Sequence, residues 1–218
     1  LTATGTFLQQ AGTVTLDGTL KLVDGTFRQT GGTMSGRPIH LDRTDLALGP
    51  DTTATSFIYV GLDDDTRVLD DVPAGFHITL RNSFYGTLKL GDGSGFTNAG
   101  TIRLEPPTIA ADTLTALGGP FTNSGTIVAT GGQNTIIRAG SFTNTGLVDC
   151  YQGVSIAAPA IDNLGTMELR ANSTLGYGGV TDLVNSGTIN LAAVTWTTTY
   201  LTATGTFLQQ AGTVTLDG

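Results

Sequence analysis

The residues best suited to chemistry are carboxylates gathered in one stretch. Asp63, Asp64 and Asp65 are followed by Asp70 and Asp71, with Arg67 between the two groups. Clustered carboxylates supply the hard oxygen ligands that calcium takes. Carboxylates and a basic group on one face are also what a polysaccharide lyase needs for acid–base work. The competing reading is a solvated acidic turn that discourages sideways pairing of strands. That reading is preferred here, and calcium at Asp63, Asp64 and Asp65 is the one cofactor candidate. The run GDGSG at 91–95 occurs once, without the spacing of a calcium-binding nonapeptide repeat, and reads as a tight turn. His40 and His77 each lack a second His or Cys at ligand spacing. Cys150 is the single cysteine, which excludes an intrachain disulfide and suggests a small buried hydrophobe. The chain has no phosphate-binding loop, HExxH, G-x-S-x-G or CxxC motif. No catalytic residue is expected, and the chain is read as a non-enzyme.

Any such residues must be positioned by strands. The 218 residues include 40 Thr and 31 Gly but only two Lys and two Glu, so strand and turn formers dominate over helix formers. The net charge of −8 disfavours nucleic acid as a partner. No apolar run approaches the roughly 20 residues that span a bilayer, so no membrane insertion is expected of this segment.

Two periods organise the chain. The longer is exact: LTATGTFLQQAGTVTLDG at 1–18 returns as 201–218. Residues 1–200 therefore read as one full repeat and 201–218 as the first coil of the next, a window on a longer tandem array. The junction is expected at Leu8, Gly12 and Val14 and, in the second copy, at Tyr200, Leu208, Gly212 and Val214.

The shorter period is a phrase: an apolar residue, a spacer, Asn or Gln, a spacer, Gly, then a short alternating run. It is written FTNAGTI (96–102), FTNSGTI (121–127), FTNTGLV (142–148), IDNLGTM (161–167) and LVNSGTI (183–189). LQQAGTV (8–14, and again at 208–214) and the looser FRQTGGTM (27–34) continue it. Spacings of 19 to 25 residues between the glycines predict a β-solenoid, with loops absorbing the variation and stacked strands holding the constant part. Alternation after each glycine predicts half-buried strands.

Each position then has an expected role. Phe96, Phe121, Phe142, Ile161 and Leu183 should stack in the core. Asn98, Asn123, Asn144, Asn163 and Asn185 should sit at turns and bond one another along the axis as a ladder. Gly100, Gly125, Gly146, Gly165 and Gly187 should supply a positive φ. Residues 36–90 alternate without the phrase and are read as coils with irregular turns, which brings the expected total to nine or ten coils per 200 residues. At about 4.8 Å per stacked strand, that is an advance of about 43–48 Å.

With its F-T-N-x-G-T-I phrases, Thr/Gly richness, scarce Lys and near-absent Cys, the sequence resembles the β-helical shafts of bacterial surface proteins. These are the filamentous-haemagglutinin and autotransporter-passenger type and the very long repetitive adhesin-like proteins. The resemblance implies a right-handed parallel β-helix displayed at the cell surface. The expected function is a structural repeat of a long extracellular filament whose partner is itself, head to tail. A rival is a glycan-binding adhesin using Trp196, Tyr59 or the Asp63–Asp65 run, and a remoter one is a β-helical lyase using Arg67. The Thr-rich stretch 195–207 also invites an ice-binding reading, which aligned Thr-x-Thr on many successive coils would have to support.

Overall fold

The computed structural model describes residues 1–50, 52, 56–61, 66–81, 86–105, 112–116, 118–130, 135–151, 153–170, 173–175, 182–192, 194–198, 200–203, 206–209 and 212–216. It is a parallel β-solenoid, with strands stacked turn upon turn around a triangular core. The first face carries the strands His77–Leu80, Thr101–Leu104, Thr126–Ala129, Leu147–Cys150, Thr166–Leu169 and Thr188–Leu191. The second carries Gly86–Leu90, Asp112–Thr115, Thr135–Arg138, Val154–Ala157, Thr174–Leu175 and Val194–Thr198. The third is a six-stranded parallel sheet running from Phe96–Asn98 through Pro120–Asn123, Ser141–Asn144, Ala160–Asn163 and Asp182–Asn185 to Tyr200–Ala203.

Every named strand pair is parallel, as stacking one turn on the next requires. The registers also pair like with like: Phe121 with Phe142, Asn123 with Asn144, Ile102 with Ile127. Alternation inside each short strand sends one set of side chains inward, so Ile127, Ala129, Val148 and Cys150 are buried while their neighbours are half exposed. The core is continuous along the axis.

The N-terminal turns are built differently. Thr2–Gln9, Leu20–Gln29 and Ile39–Leu48 each run unbroken across the first and second faces, and Thr13–Leu16 and Thr33–Gly36 form the third. About seven turns have three separately formed faces, beginning with Phe57–Gly61, where Val72 makes an isolated bridge to Asn98 on the third. The nine or ten equivalent coils expected are therefore corrected: about seven turns share one three-faced build, and in the first three turns a long bent strand replaces two short ones.

Candidate functional site

The most elaborate polar arrangement lies inside the corner between the third and first faces. Asn98, Asn123, Asn144, Asn163 and Asn185 are all fully buried there. Each of the first four donates from Nδ2 to Oδ1 of the next at 2.8 Å. The same nitrogens lie 3.0–3.2 Å from a backbone carbonyl one turn on, as Asn123 does with Leu147 and Asn144 with Thr166. Burying an amide without partners is costly, so this repetition is what allows polar side chains into an otherwise apolar core.

The ladder has ends. Asn98 Oδ1 is buried without a hydrogen-bond partner because the residue in register one turn earlier is Val72. At the other end Asn185 is in register with Ala203, which has no side-chain amide to offer, and among the described residues its Nδ2 keeps only the bond to the Thr206 carbonyl. Beside the amides, Phe96, Phe121, Phe142, Ile161 and Leu183 form a buried column, with Phe121 edge-on to Phe96 at 5.8 Å and to Phe142 at 5.3 Å.

The ladder glycines act for a different reason from the one expected. None of Gly100, Gly125, Gly146, Gly165 and Gly187 has a φ in the left-handed region. A Cβ on Gly146 would instead run into the carbonyl oxygen of Gly125, and one on Gly165 into that of Gly146. Close approach of successive turns, not a special dihedral, demands glycine here.

The N-terminal phrase also needs a correction. Read as LQQAGTV, it puts Leu8 in the core and Gln10 at the turn. In the structure Leu8 and Gln10 are exposed, while Phe7 stacks on Phe27 at 5.0 Å and Gln9 is buried in register with Gln29. Gln9 donates to the carbonyls of Gly12 and Thr33, the same pair of contacts an Asn makes in the ladder. Phe7-x-Gln9 and Leu8-x-Gln10 both fit the phrase, and the register with Phe27-x-Gln29 chooses between them. Gly12, unlike the ladder glycines, has a positive φ of 78°, and Val14 packs half-buried against the core. At the second copy, Tyr200 heads Tyr200–Ala203, Leu208 pairs with Asn190, and Gly212 and Val214 pair with Val194 and Trp196.

A second corner escaped the sequence reading. Asp24 and Arg43 are left-handed without being glycine, with φ of 50° and 47°. They stand one turn apart, and Arg43 grips Asp24 through Nε to Oδ1 at 2.7 Å and Nη2 to Oδ2 at 3.2 Å. Neither residue belongs to a repeated phrase, so nothing in the spacing marks them.

Of the acidic stretch, the structure describes Arg67, Asp70 and Asp71. Asp63, Asp64 and Asp65 lie outside the described residues. Asp70 accepts from the Leu48 amide at 3.0 Å and Asp71 from the Thr97 amide at 2.7 Å, while Asp45 accepts from the Arg67 amide at 2.8 Å. Asp70 and Asp71 line a groove of about 430 Å³, but both carboxylates are engaged by backbone. Among the described residues no three His, Cys, Asp or Glu side chains gather where a metal could sit. In the GDGSG turn Asp92 accepts from both the hydroxyl and the amide of Ser94, which hold its carboxyl below the usual range.

Tyr59 is fully buried and its hydroxyl contacts the Arg67 carbonyl, so it is not available to a surface glycan; burial, reinforced by Asp45, pushes its phenol well up. Trp196 and Tyr200 are on described strands, but their side chains lie outside the described residues. Burial, with the Asp149 charge adding to it, pushes the Cys150 thiol up to about 12. Burial also opposes ionisation of Glu105, yet the Arg81 and Arg103 guanidiniums outweigh it and hold that carboxyl low. Among the described residues no helix is long and apolar enough to cross a membrane.

Compared with family models, curated proteins and solved structures, the chain matches none.

Proposed function

We propose that this chain is a structural repeat of a long filament at the cell surface or outside the cell, of the adhesin-like shaft type. The filament grows end to end, each turn templating the next by parallel β-pairing, and the partner of one repeat is another. One observation carries the reading. The second copy of the 18-residue segment is laid down as further rungs of the solenoid, Tyr200–Ala203, Thr206–Gln209 and Gly212–Leu216 pairing in parallel with the strands one turn before. A repeated segment that stacks on its own repeat can continue without limit.

The first turn supports the same reading. Ala3, Phe7, Val14 and Leu16, which face inward there, are only partly buried against the core. An open strand edge above an apolar end is a template for another strand. The glycan-binding reading loses Tyr59 to the core, and the ladder and its glycines are turned to holding the shaft together rather than to a ligand.

Sedimentation of the 218-residue chain over a range of concentrations tests the proposal, with electron microscopy of the heavy fraction. Self-association into rods with a meridional spacing of about 4.8 Å is expected. A chain that stays monomeric at high concentration, with slow amide exchange in both terminal turns, would refute it.

A further inference from the structure

The two copies of the duplicated segment do not occupy the same place on the triangle. Thr2 belongs to the first face: its register column runs through Lys21, His40, Ile58 and Thr79 and reaches Glu168 and Asn190. Thr202 is not on that column. It pairs with Val184 on the third face, and the neighbour of Asn190 is Leu208.

The displacement is the same for all three parts of the segment. Phe7 is on the second face in register with Phe27, whereas Phe207 pairs with Ile189 on the first. Thr13–Leu16 lies on the third face beside Thr33–Gly36, whereas Gly212–Leu216 lies on the second beside Val194–Thr198. Every part of the second copy is set back by one face.

The segment's composition permits this. All three faces demand in–out alternation, which TATGTFLQ satisfies wherever it is placed. Ala3 is in register with Leu22 in the first copy, and its counterpart Ala203 is in register with Asn185 in the second.

Building on the filament reading, we infer that the 200-residue repeat is not a whole number of turns, and that successive repeats are phased by one face, a third of a turn. Only every third repeat presents the same surface in the same direction. Each asparagine ladder is therefore confined to its own repeat and gives way to one on the neighbouring corner. Outward features, such as the Arg81–Glu105–Arg103 cluster, are distributed around the shaft rather than aligned in a stripe. A second filament can then be met from three directions.

Cross-linking decides the phase in the 218-residue chain. Register partners in adjacent strands are about 5 Å apart, within the span of a disulfide. Val184→Cys with Thr202→Cys should cross-link nearly completely under mild oxidation. Asn190→Cys with Thr202→Cys, the pair an in-phase repeat would bring together, should not. A 190–202 link, or failure of the 184–202 link in a chain that retains its β-sheet circular dichroism, overturns the inference. Should the cysteine pairs prevent folding, cryo-electron microscopy of a three-repeat polypeptide reads the same quantity. Repeats related by a third of a turn beyond the coil's own twist are expected, and repeats in one orientation overturn the phasing. The two proposals fail separately: a 184–202 link in a chain that stays monomeric removes the filament and keeps the phase, while a 190–202 link in rods does the reverse.

Discussion

Asn123 Nδ2 lies 2.8 Å from Asn144 Oδ1, between two backbone carbonyls that the same nitrogen also faces, from Gly125 and Leu147. One amide thus ties together its own turn, the next turn's side chain and the next turn's backbone. Interior and terminal members of the ladder therefore differ in what their loss exposes.

Asn144→Ala leaves Asn163 Oδ1 without its donor and takes one of three acceptors from Asn123 Nδ2, whereas Asn98→Ala only leaves Asn123 Oδ1 without its donor. Stability should fall by about 2–4 kcal/mol for the first and by about half as much for the second. Urea unfolding measures both, and equal losses would mean that the ladder does not act as a chain of bonds.

Gly146→Ala puts a Cβ against the Gly125 carbonyl, and neither backbone can yield without disturbing the pairing around it. A loss of about 1–3 kcal/mol is expected. Gly118→Ala meets no neighbour but must hold a φ of +84°, so it should cost nearer 1 kcal/mol. Thermal melts of the two variants separate close approach from backbone strain, and a harmless Gly146→Ala would remove the explanation given for the glycine column.

Phe121→Ala opens a void between Phe96, Phe142 and the adjoining turns, and should cost about 3–5 kcal/mol. Phe121→Leu keeps most of the volume and should cost under about 1.5 kcal/mol. Chemical denaturation gives the comparison. Indistinguishable variants would mean that the aromatic column contributes little beyond bulk.

The buried Cys150 links stability to alkaline pH. Its thiol is held at about 12 in the fold, against about 8.5 in an unfolded chain. The unfolded state therefore loses its proton first, and this contribution is complete below about pH 8.5 and is lost as pH rises from there toward 12. Cys150→Ala should flatten the decline measured between pH 8.5 and 10.5. In the native chain at pH 8 the thiol should resist a disulfide reagent until denaturant is added; rapid reaction without denaturant would contradict its burial.

At the acid end Glu105 behaves oppositely. The Arg81 and Arg103 guanidiniums depress its folded-state pKa, so its contribution is present above the unfolded value near 4.3 and disappears as pH falls through the folded one. The pairs are partly exposed, which limits the effect to about 0.5–1 kcal/mol. Glu105→Gln should reduce the loss of melting temperature between pH 5 and 3, and an unchanged acid limb would assign that loss to other carboxylates.

Much of this molecule was legible without coordinates. The phrase FTNxGTI, recurring every 19 to 25 residues, specifies parallel stacking because identical residues at a turn period can only fall into columns, and Phe and Asn are the residues that profit from meeting their own kind. Alternation after each glycine separates the buried side of the strand from the exposed one. Three things were decided only in the tertiary structure: that the glycines serve close approach rather than a left-handed dihedral, that Gln9 and not Gln10 enters the corner, and that the second copy of the duplicated segment lies one face away from the first. Each depends on what the neighbouring turn presents, a Gly125 carbonyl, a Gln29 amide or a Val184 strand. Periodicity along a chain records which residues recur, whereas the distance and phase between turns are set by loops of unequal length closing around one core.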